Sequence, residues 1–200
     1  MSSRRSLQLL LVAPPGAGKG TQAARLSAHY GIAHLSSGDL LRKEVAADSA
    51  IGREAADYLR RGDLVPDELV IEMVALPVFE AARTGGYVLD GFPRTLAQAE
   101  EAYRLAQQVE GVELSAVVHL EVSPEELRRR LAGRARREGR ADDTEAVIAH
   151  RLEVFDSETQ PLLGFYAERG IVLDIDGEQS VDEVFADITA ALDARRVERR

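Results

Sequence analysis

The chain has 200 residues, enough for one globular domain, and its 45% hydrophobic and 30% charged residues are an ordinary mixture for a folded protein. It contains no cysteine, which excludes disulfides and cysteine-ligated metal sites and fits a reducing compartment. The formal net charge of −9 argues against a sequence-independent nucleic-acid binder. The longest apolar run, residues 9–15, is too short to span a membrane. We therefore expect a cytoplasmic protein without a nucleic-acid or membrane partner.

Strand-like and helix-like segments alternate along the chain. Near-continuous apolar runs predict buried strands, and amphipathic segments between them predict helices. The predicted strands are residues 7–13, 32–35, 87–89, 116–122 and 171–175. The predicted helices are residues 19–30, 38–47, 51–60, 67–83 and 95–108, one beginning near 124, one from 144 towards 168, and one from 181. This order implies right-handed crossovers and a five-stranded parallel sheet covered on both faces.

Polar residues mark two of the helix starts. Ser123 and Glu126 form the sequence pattern of a capping box, with Pro124 at the first helical position, and Ser180 with Glu183 repeats the pattern. The last helix is expected to bury an apolar stripe of Val181, Val184, Phe185, Ile188 and Leu192.

The turn after the first strand is rich in glycine. Residues 13–22 read APPGAGKGTQ, a variant of the phosphate-binding pattern G-x-x-x-x-G-K-[ST] with Ala13 first and Gly20 before Thr21. The glycines let backbone N–H groups point at phosphate oxygens, and the following helix adds its positive dipole end. Lys19 supplies a point charge, and Thr21 is expected to bind phosphate or to orient a metal ion. The turn therefore predicts a nucleotide phosphate site.

Four further segments follow in a characteristic order: residues 35–42 (LSSGDLLR), 62–67 (GDLVPD), 90–95 (DGFPRT) and 139–143 (GRADD). With residues 14–22 they make the chain similar, over essentially its whole length, to the adenylate kinases among the nucleoside monophosphate kinases. Ala13 departs from the family, which more often has glycine there, and we expect only a small backbone adjustment. The resemblance implies a P-loop NTPase-like three-layer α/β fold in a single kinase domain. Its core would be residues 1–35, 66–132 and 144–200, with a helical monophosphate-binding segment at 36–65 and a short lid at 133–143.

The implied reaction is reversible transfer of the terminal phosphoryl group of Mg-ATP to AMP, giving two ADP. Asp90 would hold Mg²⁺, through water. No zinc is expected, because the lid is short and has no cysteine, and the four histidines are interpreted as core or surface residues. The family expectation is a monomer.

The resemblance also implies roles for individual residues. The residues expected to bind ATP are Gly16, Ala17, Gly18, Lys19, Gly20, Thr21, Arg130, Arg134 and Gln179. The residues expected to bind AMP are Ser37, Arg42, Asp63, Leu64, Val65, Gly91, Phe92, Pro93, Arg94, Gln98, Arg140 and Arg151. The residues expected to be catalytic are Lys19, Arg94, Arg134, Arg140 and Arg151, with Asp142 and Asp143 supporting the lid. Arg128, Arg129, Arg136 and Arg137 are interpreted as a solvated helical face.

Finer roles follow from the same resemblance. Asp63, Leu64 and Val65 would line the adenine pocket largely through their backbone, and Gln98 would read the adenine edge. The Phe92–Pro93 peptide bond would be cis. Gln179 would meet the ATP base through its backbone.

Three other functions remain open. A UMP/CMP kinase shares the fold, although Gln98 and Thr95 favour AMP, since the pyrimidine enzymes tend to carry Asn where Thr95 stands. A non-catalytic nucleotide-binding module would predict losses among the arginines or Asp90, and none is lost. An RNA-binding protein could use the arginine-rich stretch 128–140, but the acidic net charge and the lack of interleaved aromatic residues oppose it.

Overall fold

The computed structural model describes residues 6–138 and 144–198, with side chains described for 6–133 and 144–195. The strands are β1 (Leu7–Val12), β2 (Ala33–Ser36), β3 (Gly86–Asp90), β4 (Ala116–Glu121) and β5 (Val172–Asp176). The helices are α1 (Lys19–Tyr30), α2 (Ser37–Ala46), α3 (Ala50–Arg61), α4 (Asp67–Thr84), α5 (Leu96–Ala106), α6 (Pro124–Glu138), α7 (Glu145–Val154), α8 (Pro161–Ala167) and α9 (Val181–Glu198). The predicted α/β order is confirmed.

The five strands form one parallel sheet in the order β2-β3-β1-β4-β5. β1 is central, pairing Leu11 with Asp90 of β3 on one side and with Val118 of β4 on the other. The chain fills the β3 side of β1 first and then continues on the β4 side. Ligands of such sheets bind at the carboxyl ends of the strands where the order reverses, so the site is expected directly after β1 and β3.

Both faces of the sheet are buried, which gives three layers. Alternate β1 residues contribute to opposite cores: Leu10 faces the one covered by α4, α5 and α8, and Leu9 the one covered by α1 and α9. The near-continuous apolar run of β1 follows from this, because every one of its side chains is buried.

The helix predicted from residue 144 towards 168 is interrupted in the structure. A π-helical turn at Phe155–Thr159 separates α7 from α8, and the Gln160 N–H donates to the Phe155 carbonyl at 2.8 Å. Pro161 has no N–H for an α-helical bond and begins α8 instead.

Two details of the predicted helix ends were wrong. Ser123 caps the Glu126 N–H as expected, but the Ser123 N–H donates to Glu178 rather than to Glu126, whose carboxylate pairs with two arginines. Val181 is 50% exposed at the start of α9, whereas Val184 is buried in the predicted stripe. The second capping box, between Ser180 and Glu183, is reciprocal as predicted.

The structure describes the two expected inserted segments to different extents. α2 and α3 stand between β2 and α4 and make up most of the expected monophosphate-binding segment. α6 continues to Glu138, so the first part of the expected lid is helical, and residues 139–143 lie outside the described part. Among the described helices, none is long and apolar enough to cross a bilayer.

Candidate active site

A cleft of about 880 Å³ opens at the carboxyl ends of β1 and β3. The described cationic side chains in its lining are Lys19, Arg42, Arg94, Arg129, Arg130 and Arg151. The described carboxylates there are Asp39, Asp90, Glu126 and Glu178. The lining is therefore net positive in a chain whose formal net charge is −9, and it suits a polyanionic ligand.

The glycine-rich turn forms one wall of this cleft and leads directly into α1. Gly18 caps α1 with φ 97°, a left-handed conformation that favours glycine. Asp48 is the one non-glycine residue with positive φ in ranges 6–138 and 144–198, so Ala13 fits an ordinary backbone conformation. That Ala13 requires only a small backbone adjustment stays a prediction.

Lys19 is tethered to its own loop. Its Nζ donates to the carbonyls of Ala13 at 2.5 Å and Pro14 at 3.0 Å. The lysine thus spans the turn at the entrance of α1, where a phosphate would meet both its ammonium group and the helix N-terminus.

Arg130 and Gln179 both line the cleft. Arg130 pairs with Glu126 at 2.6 Å, and the hydrogen bonds from Arg129 and Arg130 lower the pKa of Glu126 to about 2. The Gln179 amide donates to Asp187 at 2.8 Å. Gln179 lines the cleft, and its expected backbone contact to the ATP base stays a prediction.

Asp90 closes β3 beside the phosphate loop. Its carboxylate lies 3.1 Å from His34 Nε2 and accepts from the Ser36 hydroxyl at 3.5 Å, and its side chain is 12% exposed. Mg²⁺ prefers oxygen ligands, and the Asp90 carboxylate shares the cleft with the hydroxyl residues Ser36 and Thr21, so the residues present fit the expected metal.

Arg94 follows β3 after the cis peptide bond Phe92–Pro93, which is cis as expected. Its Nε donates to the Gly91 carbonyl at 2.7 Å, and the same carbonyl accepts from the Ser37 hydroxyl at 2.6 Å. Burial lowers the pKa of the Arg94 guanidinium and Arg42 lowers it further, whereas Asp90 opposes both. An arginine stays protonated even so, and this one is a desolvated cation held on a carbonyl.

Gln98 is fully buried and both ends of its amide have protein partners. Its Nε2 donates to Asp67 at 2.6 Å and its Oε1 accepts from the Arg94 N–H at 2.7 Å. Asp67 also accepts from the Thr95 hydroxyl at 3.0 Å. Within the described part of the chain, these bonds leave one N–H and one lone pair of the amide for another group.

Gln98 borders a small cavity of about 20 Å³ next to the main cleft. The other expected AMP residues in its lining are Ser37, Asp63, Leu64, Val65, Gly91 and Arg94. The structure therefore brings most of that predicted set to one place, although the set comes from three separated segments.

Arg42 and Arg151 line the cleft from two different helices, α2 and α7. Arg42 on α2 pairs with Asp39, and although burial opposes it, this contact lowers the Asp39 pKa. Arg151 on α7 packs on Gly62, because a Cβ placed at Gly62 would lie 2.8 Å from Arg151 Cγ. Next to it His150 Nε2 lies 2.6 Å from Asp63, which joins α7 to the end of the monophosphate-binding segment.

Four expected residues are not placed by the structure. Arg134 belongs to α6, but its side chain lies outside the described part, and Arg140, Asp142 and Asp143 lie outside the described residues altogether. Arg128 and Arg129 are exposed, as interpreted from the sequence, although Arg129 also pairs with Glu126.

Several residues at this site had no role in the sequence interpretation. Asp67 and Thr159 contact site residues, and His34 and His150 pair with the site residues Asp90 and Asp63. The histidines are separated in sequence and their partners lie on other elements, so no local pattern could indicate them. Asp67 does lie at the end of the 62–67 segment, which was the available signal.

Fold and cleft together define a P-loop nucleotide-binding protein. The phosphate loop is the first wall of the cleft, and Arg42, Arg94 and Arg151 line the second wall. The comparisons with known proteins agree. The family model described as adenylate kinase matches residues 11–171. An adenylate kinase of Kocuria rhizophila is 47% identical, over 93% of this chain and 98% of that protein. An adenylate kinase of Xanthomonas campestris pv. campestris is 46% identical, over 93% and 99%.

This chain belongs to the adenylate kinase family. These matches do not favour a UMP/CMP kinase or a non-catalytic module.

Proposed function

We propose that this protein catalyses reversible transfer of the terminal phosphoryl group of Mg-ATP to AMP, giving two ADP. The observation that carries the proposal is the single cleft whose lining includes both the phosphate loop and a second set of arginines, Arg42, Arg94 and Arg151. A protein that only binds ATP needs the first wall, and a phosphoryl acceptor needs the second. The family membership supports the same reaction.

On the ATP side, the loop and Lys19 bind the outer phosphates. Lys19 exchanges its contacts to the Ala13 and Pro14 carbonyls for phosphate oxygens, and the backbone N–H groups of residues 16–21 complete the cradle. Arg130 contacts ATP from α6, and the Gln179 backbone meets the base. Arg134 extends this set from the same helix.

On the AMP side, Arg94, Arg42 and Ser37 bind the acceptor phosphate. Leu64 and Val65 line the base pocket. The Gln98 N–H and lone pair that have no partner in the Asp67 and Arg94 bonds read the adenine edge. Arg140 and Arg151 clamp the transferred group, with Asp142 and Asp143 orienting the lid arginines.

Phosphoryl transfer requires that the two nucleotides are positioned and that the negative charge of their phosphates is compensated. The acceptor oxygen is already ionised, so no side chain has to remove a proton. Asp90, with the help of Thr21, would hold Mg²⁺, which would supply positive charge against the transferred phosphoryl group when bound. The planar arginines fix the two phosphates in line by bidentate hydrogen bonds.

Closure of the cleft excludes water, which would otherwise compete with AMP as the phosphoryl acceptor. The segment 36–65 and the lid 133–143 move over the bound nucleotides. The protein works as a cytoplasmic monomer without a nucleic-acid or membrane partner and without zinc.

The test offers AMP, UMP, CMP and GMP in parallel to the purified protein with Mg-ATP. We expect rapid ADP formation with AMP alone, and loss of that rate without Mg²⁺. Faster transfer to UMP or CMP would move the protein to the pyrimidine kinases. Binding of ATP without transfer to any acceptor would identify a non-catalytic module.

A further inference from the structure

The backbone of Arg94 is held at both of its polar groups by side chains. Its N–H donates to Gln98 Oε1 at 2.7 Å, and its carbonyl accepts from the Thr159 hydroxyl at 2.9 Å. Arg94 lies between β3 and α5, where neither a sheet nor a helix supplies these bonds. A residue in a loop normally satisfies such groups with water or neighbouring backbone. Here two specific side chains do so.

Thr159 comes from a distant part of the chain and from an unusual piece of backbone. It is the last residue of the π-helical turn Phe155–Thr159 and is only 7% exposed. Turns of this kind are rare and concentrate at functional sites. A helical threonine commonly donates back to a carbonyl of its own helix, whereas Thr159 donates to Arg94, 65 residues away.

The same turn directly follows α7, which carries Arg151. Thr159 and Phe155 both line the cleft together with Arg94 and Arg151. A bond from this turn to Arg94 therefore fixes the exit of β3 relative to the α7–α8 unit. The bond thus links Arg94, proposed to bind the acceptor phosphate, to the helix of Arg151, proposed to clamp the transferred group.

We propose that Thr159 is a positioning residue for phosphoryl transfer, which acts by holding the Arg94 backbone in register with Arg151. The inference rests on the proposed function of the cleft. Misplacement of a catalytic group by about 1 Å can reduce a rate by about 10²-fold. Removing one of the two backbone bonds of Arg94 is expected to have part of that effect, a fall in kcat of about ten-fold.

The experiment compares Thr159→Val, which keeps the shape and removes the hydroxyl, with Thr159→Ser, which keeps the hydroxyl. Thr189→Val is the matched control, since the Thr189 hydroxyl also donates to carbonyls, those of Phe185 and Ala186 within α9. We expect Thr159→Val to lower kcat about ten-fold with the KM for ATP nearly unchanged. Thr159→Ser and Thr189→Val should both stay near the wild-type rate.

A second arm tests whether the effect passes through Arg94. In an Arg94→Lys background, Thr159→Val should lower kcat much less than in the wild type, because the group that it positions is already altered. Equal losses in the two backgrounds would overturn the inference, and so would a wild-type kcat in Thr159→Val. If Thr159→Val does not fold, Thr159→Ala replaces it in both arms.

Failure of the inference can be told apart from failure of the proposed function. If the wild type forms ADP from ATP and AMP but Thr159→Val is unimpaired, only the inference fails. If the wild type forms no ADP, the proposed function fails, and crystal structures of the wild type and Thr159→Val still decide the positioning. An Arg94 that stays in place in the variant overturns it, and a displaced Arg94 supports it.

Discussion

The two walls of the cleft are built in different ways. The phosphate loop is one continuous stretch, residues 13–21, and its lysine is held by carbonyls of the same stretch. The bonds around Arg94 come from Gln98, four residues further along the chain, and from three distant residues, Ser37, Asp67 and Thr159, directly or through a neighbouring residue. The first wall is a local structure, whereas the second exists only in the folded chain.

This difference predicts how each wall responds to substitution. A change in the phosphate loop should affect its own ligand and leave the other nucleotide nearly untouched. A substitution around Arg94 should also alter the contribution of its neighbours, because side chains in one hydrogen-bonded network are energetically coupled.

The largest effect is expected for Lys19→Ala, which removes the charged side chain of the phosphate loop. Electrostatic groups of this kind typically contribute about 10²–10³-fold to kcat. The KM for AMP should change little, since Lys19 donates to carbonyls of the phosphate loop and is expected to bind ATP. The measurement is steady-state ADP formation with each nucleotide varied in turn. Lys43→Ala is the control, because Lys43 is the other lysine of the chain and is exposed on α2. A Lys19→Ala variant at the wild-type rate would contradict the assignment.

Arg94→Ala should reduce kcat by about 10²-fold, because the bidentate contact to the acceptor phosphate is lost. Unlike Lys19→Ala, it should also raise the KM for AMP. Arg104→Ala on α5 is the matched control, since that arginine forms an exposed pair with Glu101. If Arg94→Ala keeps near-wild-type turnover, the second wall does not bind the acceptor.

The contrast between the walls also explains what the sequence could predict. The phosphate loop can be recognised in the sequence because its glycines, lysine and threonine lie in one short stretch. The strands can be recognised because both faces of the sheet are buried, which makes them near-continuous apolar runs. Arg94 and Gln98 were found only through the family resemblance.

The supports of the second wall could not be predicted in this way. Thr159 looks like an ordinary helical residue, and the register in which it meets Arg94 depends on a π-helical turn that periodicity does not reveal. The Glu126 capping box failed for a related reason, because a competing carboxylate, Glu178, comes from another part of the chain. Bonds between distant segments are set by packing, which a single sequence does not display.

Gly91→Ala should raise the KM for AMP by about ten-fold and destabilise the protein by at least about 1 kcal/mol. Gly91 has φ +77°, and an added Cβ would lie 2.7 Å from Ser37 Oγ and 3.1 Å from Arg94 NH2. Gly31→Ala separates the two causes, since Gly31 has φ +66° but no atom within 4 Å of such a Cβ. Urea unfolding should show a loss for both variants, and the KM should rise only for Gly91→Ala. An equal KM in the two variants would show that the second wall tolerates displacement.

The smallest expected effect is a pH dependence at the junction between the monophosphate-binding segment and α7. Arg61 lowers the pKa of Asp63 by a hydrogen bond, and His150 lowers it further. A carboxyl with a depressed pKa stabilises the folded state above its unfolded value, here 3.8, and loses that contribution as the pH falls through the folded value. The difference in urea midpoint between wild type and Asp63→Asn should therefore persist above about pH 3.8 and shrink below it. Asp57→Asn, which removes an exposed carboxylate paired with Arg60, gives the background effect of one lost charge. A difference that persists unchanged to pH 3 would mean that the Asp63 contacts do not depend on its charge, and that the junction is held by the packing of Gly62 on Arg151 alone.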